Sequence, residues 1–65
     1  MSNHPGGQIA TLRKRRGFTQ IDLGTIAEVS TTIIARIETG KTDPRLSTLE
    51  RVARALDATL VVAFE

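Results

Sequence analysis

The sequence predicts a mostly α-helical domain of four helices followed by one β-strand. Apolar residues recur at spacings of three and four through most of the chain, which is typical of amphipathic helices. Residues that cap helices stand before several of these runs, and glycines follow two of them. Near the end the spacing changes to alternation among β-branched and apolar residues, which predicts a strand. Because the chain has only 65 residues, it forms one domain with a small core.

The first helix is expected from Gln8 to Arg16. Residues 1–7 contain one proline and two glycines without an apolar period, and we expect them to form a flexible lead-in. Gly17 suits the left-handed backbone position that follows a helix end. Phe18 can then fold back onto the core.

Four consecutive basic residues end this helix: Arg13, Lys14, Arg15 and Arg16. The net charge is only +2, yet a concentrated positive patch matters more for an anionic partner than the total charge does. The alternative is that these residues only complement the negative C-terminal end of the helix dipole.

Residues 19–40 are expected to form two short helices joined by a tight turn. Thr19 is a capping residue, and Asp22 can return a hydrogen bond to it. Ser30 caps the second of these helices, and Val29 is expected to fill the angle between them. Apolar residues with helical spacing run through both helices: Leu23, Ile26 and Ala27, then Ile33, Ile34 and Ile37. This is the pattern of a helix-turn-helix unit.

A fourth helix is expected after the loop that contains Pro44. It begins near Leu46 or Ser47, because Ser47 and Glu50 form a Ser-x-x-Glu capping signature. Gly40 ends the helix before the loop. The apolar spacing predicts that the buried face of the fourth helix consists of Leu49, Val52, Ala53 and Leu56.

Residues 58–65 predict the strand. A lone strand cannot satisfy its backbone N–H and C=O groups, and an exposed apolar edge promotes aggregation. We therefore expect the same strand of a second copy to pair with it in antiparallel orientation, across the twofold axis of a homodimer. The alternative is a fifth helix. The expected dimerisation residues are Leu60, Val61, Val62 and Phe64.

The stretch from Leu12 to Leu56 resembles the lambda repressor, Cro and Xre family of helix-turn-helix domains. It carries the residue types of that family in the same order: Gly17, Thr19, Gln20, Leu23, Val29, Ser30, Ile34, Ile37, Glu38, Gly40, Pro44, Leu49, Ala53 and Leu56. Two residues depart from the pattern, since Gly24 stands where the family prefers Ala and Glu28 where it prefers Gly. Gly24 should weaken its helix by about 1 kcal/mol, and Glu28 would cost about as much at positive φ.

The resemblance implies a four-helix, lambda-repressor-like helix-turn-helix domain that binds DNA, here over residues 8–56, with residues 58–65 as the dimerising strand. The fourth helix is expected to end in Leu56 and Asp57, and a short apolar strand follows at once. This ending resembles that of the HipB-type antitoxins, in which the strand forms the dimer. The implied function is a sequence-specific repressor, the antitoxin of a toxin-antitoxin module that autoregulates its operon. A HipA-like kinase or a similar toxin is then a possible partner. The alternatives are a free-standing phage-type regulator and a module that binds a toxin without binding DNA.

The expected base contacts lie on the third helix. If that helix enters the major groove of double-stranded DNA, its first two turns lie against the base edges. The residues expected to contact bases are then Thr31, Thr32 and Arg36. Arg36 can bond bidentately to guanine, whereas the short threonine side chains discriminate weakly. The alternative for Arg36 is an ordinary surface charge. A dimer would read a palindromic operator with half-sites about 34 Å apart.

The expected phosphate contacts surround that helix. Thr19 and Ser30 stand at helix N-termini, whose free N–H groups favour phosphate, although both residues can be plain caps. The resemblance implies that Gln20 bridges a phosphate and a base, and that Arg13 pairs with Glu38 and points toward a phosphate. It also implies backbone contacts from Thr39, Lys41 and Arg45.

Composition argues against other classes of function. There is no cysteine and His4 is the only histidine, which excludes disulfides and a zinc site, and the carboxylates are scattered rather than clustered. We therefore expect no enzyme activity, no metal and no cofactor. No apolar run reaches the length of a membrane span, so we expect a cytoplasmic, nucleoid-associated protein.

Overall fold

A computed structural model describes residues 5–57. This part of the chain forms four α-helices, and no strand occurs within it: α1 is Pro5–Arg15, α2 is Gln20–Ala27, α3 is Thr31–Glu38 and α4 is Leu46–Ala55. The four predicted helices are thereby confirmed. The predicted strand and its dimerisation residues Leu60, Val61, Val62 and Phe64 lie outside the described residues, so the strand and the homodimer stay predictions.

The start of α1 was predicted three residues too late. The helix begins at Pro5 rather than at Gln8, so residues 5–7 of the expected lead-in are helical. Proline suits the first turn of a helix because its fixed φ is helical and its missing N–H has no partner there in any case. The prediction failed because it relied on apolar spacing, which begins only at Ile9.

Two of the predicted caps are confirmed. The Asp22 backbone N–H donates to Thr19 Oγ1 over 3.0 Å, and the Thr19 N–H donates to Asp22 Oδ2 over 2.8 Å. Ser30 Oγ accepts from the N–H of Ile33 over 3.1 Å. Helix α4 begins at Leu46, one of the two predicted starts, but the predicted cap at Ser47 is wrong, because the N-cap position is held by Arg45 without a side-chain cap.

The core lies where α2, α3 and α4 meet against α1. Its buried cluster is Leu23, Ala27, Ile34, Val52 and Leu56, and Phe18 and Val29 pack against it as predicted. Ile26, predicted on the buried stripe, is 51% exposed instead. Around the axis of α2, the buried Gly24 lies on one side of Leu23, and Ile26 lies about 60° from Leu23 on the other side. The buried side of the helix therefore extends from Leu23 toward Gly24 and away from Ile26.

The two departures from the family pattern shape the turn between α2 and α3, Gly24 from within α2 and Glu28 from the turn itself. Glu28 adopts the left-handed conformation with φ 60°. A Cβ at Gly24 would lie 2.7 Å from the carbonyl oxygen of Val29, so only glycine fits this close approach. Arg51 of α4 donates to the Glu28 carbonyl oxygen at 3.2 Å and to its carboxylate at 3.3 Å. These contacts link the turn to α4.

Candidate nucleic-acid interface

The outward face of α3 forms the candidate site. Ser30 fixes the start of this helix, and Ile34 and Ile37, which are 1% and 2% exposed, anchor it in the core. The opposite side therefore faces solvent over two turns. Side chains of α3 and of the residues that follow it line an open concavity there: Thr31, Thr32, Ala35, Arg36, Thr39 and Lys41. We call this surface the α3 concavity.

The α3 concavity brings together five of the residues predicted from sequence to contact DNA. Arg36 and Lys41 are exposed, and their side chains form no ion pair within residues 5–57. The backbone N–H of Lys41 donates to the carbonyl oxygen of Arg36 over 2.9 Å, which holds the two cationic residues close together. No carboxylate lines the concavity. Its charge among the described residues is therefore positive.

Thr39 closes α3 as its C-cap residue. Its hydroxyl donates to the carbonyl oxygens of Ala35 at 3.0 Å and Arg36 at 3.3 Å. The hydroxyl proton is therefore used within the helix, and Thr39 can only accept a further hydrogen bond through its side chain. A contact between Thr39 and a phosphate oxygen, which also only accepts, would use a bridging water, because the backbone N–H groups of Thr39, Gly40 and Lys41 already donate to carbonyl oxygens of α3.

The remaining predicted residues lie outside the α3 concavity. Thr19 and Ser30 are exposed caps at the N-termini of α2 and α3, and Arg45 is exposed just before α4. Gln20, at the first position of α2, and Arg13, near the end of α1, meet elsewhere, at Glu38.

A buried polar junction joins α1, α2 and α3. Arg13 Nε donates to Glu38 Oε2 over 2.6 Å, and Arg13 Nη2 donates to Glu38 Oε1 over 3.0 Å. Arg13 Nη1 donates to the carbonyl oxygen of Phe18 over 2.8 Å. Gln20 Nε2 donates to Glu38 Oε1 over 3.1 Å. We call Arg13, Gln20 and Glu38 the polar junction.

The polar junction is a structural element. The Arg13 and Glu38 side chains are only 10% and 6% exposed, so each charge depends on the other for solvation. The hydrogen bonds that Arg13 donates to Glu38 raise the pKa of Arg13 above its ordinary value, although burial opposes this. The ion pair that the resemblance implied is thus confirmed, while a phosphate contact by Arg13 stays a prediction.

Sequence reasoning missed two contacts of this site. The hydrogen bond from Gln20 to Glu38 uses one of the two N–H groups of the Gln20 side-chain amide, so the second N–H remains for a phosphate and the amide oxygen for a donor. No local spacing signals this contact, which joins residues 18 positions apart. The Glu28–Arg51 pair joins residues 23 positions apart, and no local pattern reports it.

The described residues contain no group of three His, Cys, Asp or Glu side chains that could hold a metal ion. None of the helices within residues 5–57 is long and apolar enough to cross a membrane.

The profile of a family described as Helix-turn-helix (HTH_3) matches residues 9–62. The chain belongs to the helix-turn-helix family of the Xre and lambda-repressor type. The resemblance seen in the sequence is therefore confirmed at the level of the family. The closer likeness to HipB-type antitoxins stays a prediction.

Two curated proteins are similar in sequence to this helix-turn-helix protein. The immunity repressor protein of Bacillus phage phi105 is 45% identical over 51 residues, which cover 78% of this chain and 35% of the relative. An uncharacterized HTH-type transcriptional regulator of Haemophilus influenzae is 38% identical over 55 residues, covering 85% of this chain and 56% of the relative. The chain thus spans about a third and about half of the lengths of these relatives.

Two solved structures share the fold. The P22 c2 repressor protein, in complex with a synthetic operator, superposes with a TM-score of 0.82 at 28% identity, over 89% of this chain and 88% of that chain. A point mutant of the restriction-modification controller protein C.Esp1396I superposes with a TM-score of 0.80 at 26% identity, over 83% of this chain and 70% of that chain. The four-helix fold is therefore that of the P22 repressor.

Proposed function

We propose that this protein is a sequence-specific DNA-binding transcriptional repressor that contacts its operator through α3. The observation that carries the proposal is the α3 concavity, in which threonines and two unpaired cationic side chains surround a small residue, Ala35. A helix held by its apolar face, with hydrogen-bonding and cationic groups on the other face, has the form that the major groove admits. A similar protein, the P22 c2 repressor, is seen in complex with an operator.

The roles of the residues follow from their positions. Arg36, exposed at the middle of the concavity, donates bidentately to a guanine, and Thr31 and Thr32 contact neighbouring base edges. The remaining contacts go to phosphates, which set the position of the protein on the duplex without specifying sequence. These come from the N-termini capped by Thr19 and Ser30, and from Gln20, Thr39, Lys41 and Arg45. Arg13 holds Glu38 and thereby Gln20 in place.

The proposal includes a homodimer. Leu60, Val61, Val62 and Phe64 pair with their equivalents in a second copy, as the sequence predicts. Two copies then place two α3 helices about 34 Å apart, which matches successive major grooves on one side of a palindromic operator.

Two biological settings fit this function. The apolar run after Asp57 favours an antitoxin that represses its own operon and binds a toxin, for example a HipA-like kinase. The 45% identity to a phage immunity repressor favours a free-standing phage-type regulator. Both settings place the protein on DNA in the cytoplasm. A module that bound a toxin but not DNA would have no anionic ligand for the unpaired side chains of Arg36 and Lys41.

The test is binding of the purified protein to a labelled fragment of its own upstream region and to a random duplex, across a salt series. We expect tight binding to the upstream fragment that resists competitor DNA, with two protomers per site and an affinity that falls linearly in a double-logarithmic plot against salt. Equal and weak binding to both duplexes would overturn the proposal and favour the interaction module. A pull-down with the neighbouring gene product would then follow.

A matched pair of variants assigns the binding to α3. Arg36→Ala should weaken binding to the upstream fragment and reduce its preference over the random duplex. Arg54→Ala, which removes the same side chain from the exposed side of α4, should leave the discrimination unchanged. If both variants lose affinity equally, the contact is general charge attraction rather than recognition by α3.

A further inference from the structure

We propose that Ile33 determines sequence preference by contacting the 5-methyl group of a thymine, an inference that rests on the proposed function. Ile33 belongs to the first turn of α3, where base contacts are made if this helix occupies the major groove. It is 37% exposed, unlike Ile34 and Ile37, with which it shares the apolar spacing of this helix. Its exposure gives it a different role from Ile34 and Ile37.

Helix geometry places Ile33 beside Arg36. At 3.6 residues per turn, Ile33 lies about 100° from the buried Ile34 and about 60° from Arg36. Around the outer side of α3 the order is therefore Thr32, Arg36 and Ile33. The α3 concavity occupies one flank of Arg36, and Ile33 extends the same outward surface on the other flank.

The first torsion of the Ile33 side chain is restricted before any ligand binds. Its backbone N–H donates to Ser30 Oγ over 3.1 Å, which holds the first turn of α3. A β-branched side chain in a helix has one strongly preferred rotamer, so its two branches point in set directions. Little conformational entropy is then lost when the side chain is buried against another group.

The chemistry of the major groove selects the partner. Ile33 can neither donate nor accept a hydrogen bond, so a base edge with an amino or carbonyl group opposite it would lose water without compensation. Thymine is the one base whose major-groove edge carries a methyl group. Arg36 recognising a guanine and Ile33 a thymine nearby would give one half-site two different base contacts.

The experiment first selects duplexes from a random library with the whole protein, and then replaces each thymine of the selected site by uracil, which lacks only the methyl group. Burial of a methyl-sized group is worth about 0.8 kcal/mol, which corresponds to about a fourfold change in affinity. We expect one uracil position in each half-site to weaken binding by about this factor in the wild-type protein. In Ile33→Ala that position should become insensitive to the replacement.

The control is Ile26→Ala, which removes the same side chain from an exposed position on α2. It should retain the full uracil effect. Ile33→Val, which keeps the β-branch and trims one methyl, should show a smaller effect than wild type and guards against misfolding of the alanine variant.

The outcomes separate the two proposals. If selection enriches no sequence, the sequence-specific function itself is wrong, and the role of Ile33 is wrong with it. If a site is selected but every uracil effect is the same in Ile33→Ala as in wild type, or the site contains no thymine, the function stands and Ile33 does not contact a methyl group. A normal DNA response combined with a changed oligomeric state in Ile33→Ala would assign the residue to a protein interface and also overturn the inference.

Discussion

Two arginines of this protein occupy opposite environments. Arg13 is buried, and its three side-chain nitrogens donate to Glu38 and to the Phe18 carbonyl. Arg36, on the far side of α3, is exposed and unpaired within the described residues. The same side chain therefore holds helices together in the polar junction and stays available to a ligand in the α3 concavity. The two arginines therefore differ in the partners of their guanidinium groups and not in residue type. A paired guanidinium positions helices, whereas an unpaired one can contact a ligand.

The largest effect is expected from removing the carboxylate of the polar junction. Glu38→Ala leaves the Arg13 guanidinium buried without its counter-charge, which costs about 3–5 kcal/mol. It also removes the acceptor for Gln20. Urea unfolding of the variant should show this loss as a lower midpoint with an unchanged slope.

The matched control is Glu50→Ala, which removes the same side chain from an exposed position on α4. It should change stability by less than about 0.5 kcal/mol. Equal losses in the two variants would mean that the polar junction contributes no more than a surface charge.

The close approach between α2 and the turn after it positions α3 by backbone contact. Gly24→Ala should destabilise the protein by about 1–3 kcal/mol, because its Cβ would meet the Val29 carbonyl oxygen at 2.7 Å. This opposes helix propensity, which favours alanine by about 1 kcal/mol. Thermal unfolding decides between the two effects. A raised melting temperature would show that the turn relaxes and that propensity dominates.

Substitution in the α3 concavity should affect binding instead of stability. Arg36→Ala should weaken binding to the selected operator by about 1–3 kcal/mol and relax specificity at one base pair. The free energy of unfolding should change by less than about 0.5 kcal/mol, because the side chain is exposed and unpaired. A titration at fixed salt, paired with urea unfolding, measures both. If Arg36→Ala lost stability as well as binding, Arg36 would contribute to the fold as Arg13 does, and the proposed difference between the two arginines would be wrong.

Lys41 tests the phosphate contacts beside Arg36. Lys41→Ala should weaken binding to all duplexes nearly uniformly, and the slope of log affinity against log salt should fall by about 1. The specificity ratio between operator and random duplex should be unchanged. A change in that ratio would place Lys41 against a base.

The sequence predicts the contacts that are local and misses those that depend on how helices pack. The caps at Thr19 and Ser30 follow from residues three positions apart, and both are found. Apolar spacing places Ile26 on the same stripe as Leu23, but the close approach at Gly24 rotates the buried side away from it. The Arg13–Glu38 pair spans 25 positions and was accessible only through the family resemblance.

The candidate site was predicted more completely than the polar junction. The residues of the α3 concavity succeed one another along a single helix and the turn after it, so helix geometry alone brings them together. The junction needs three helices to meet. The bond between Gln20 and Glu38 therefore had no pattern that could report it in advance.

The smallest expected effect is a change in folding stability at acidic pH, and it comes from Asp22 in the cap of α2. The Thr19 backbone N–H donates to the Asp22 carboxylate, and this bond, with a smaller contribution from the Thr19 side chain, lowers the pKa of the Asp22 carboxyl below its ordinary value. A carboxyl whose pKa is lower in the folded state stabilises the fold above its unfolded pKa and loses this contribution as pH falls through the folded pKa. Arg13, whose pKa is raised, stays charged throughout this range and adds no such slope. In a urea series at successive acidic pH values, Asp22→Asn should therefore flatten the decline in stability, whereas an unchanged decline would place its origin in other carboxyls.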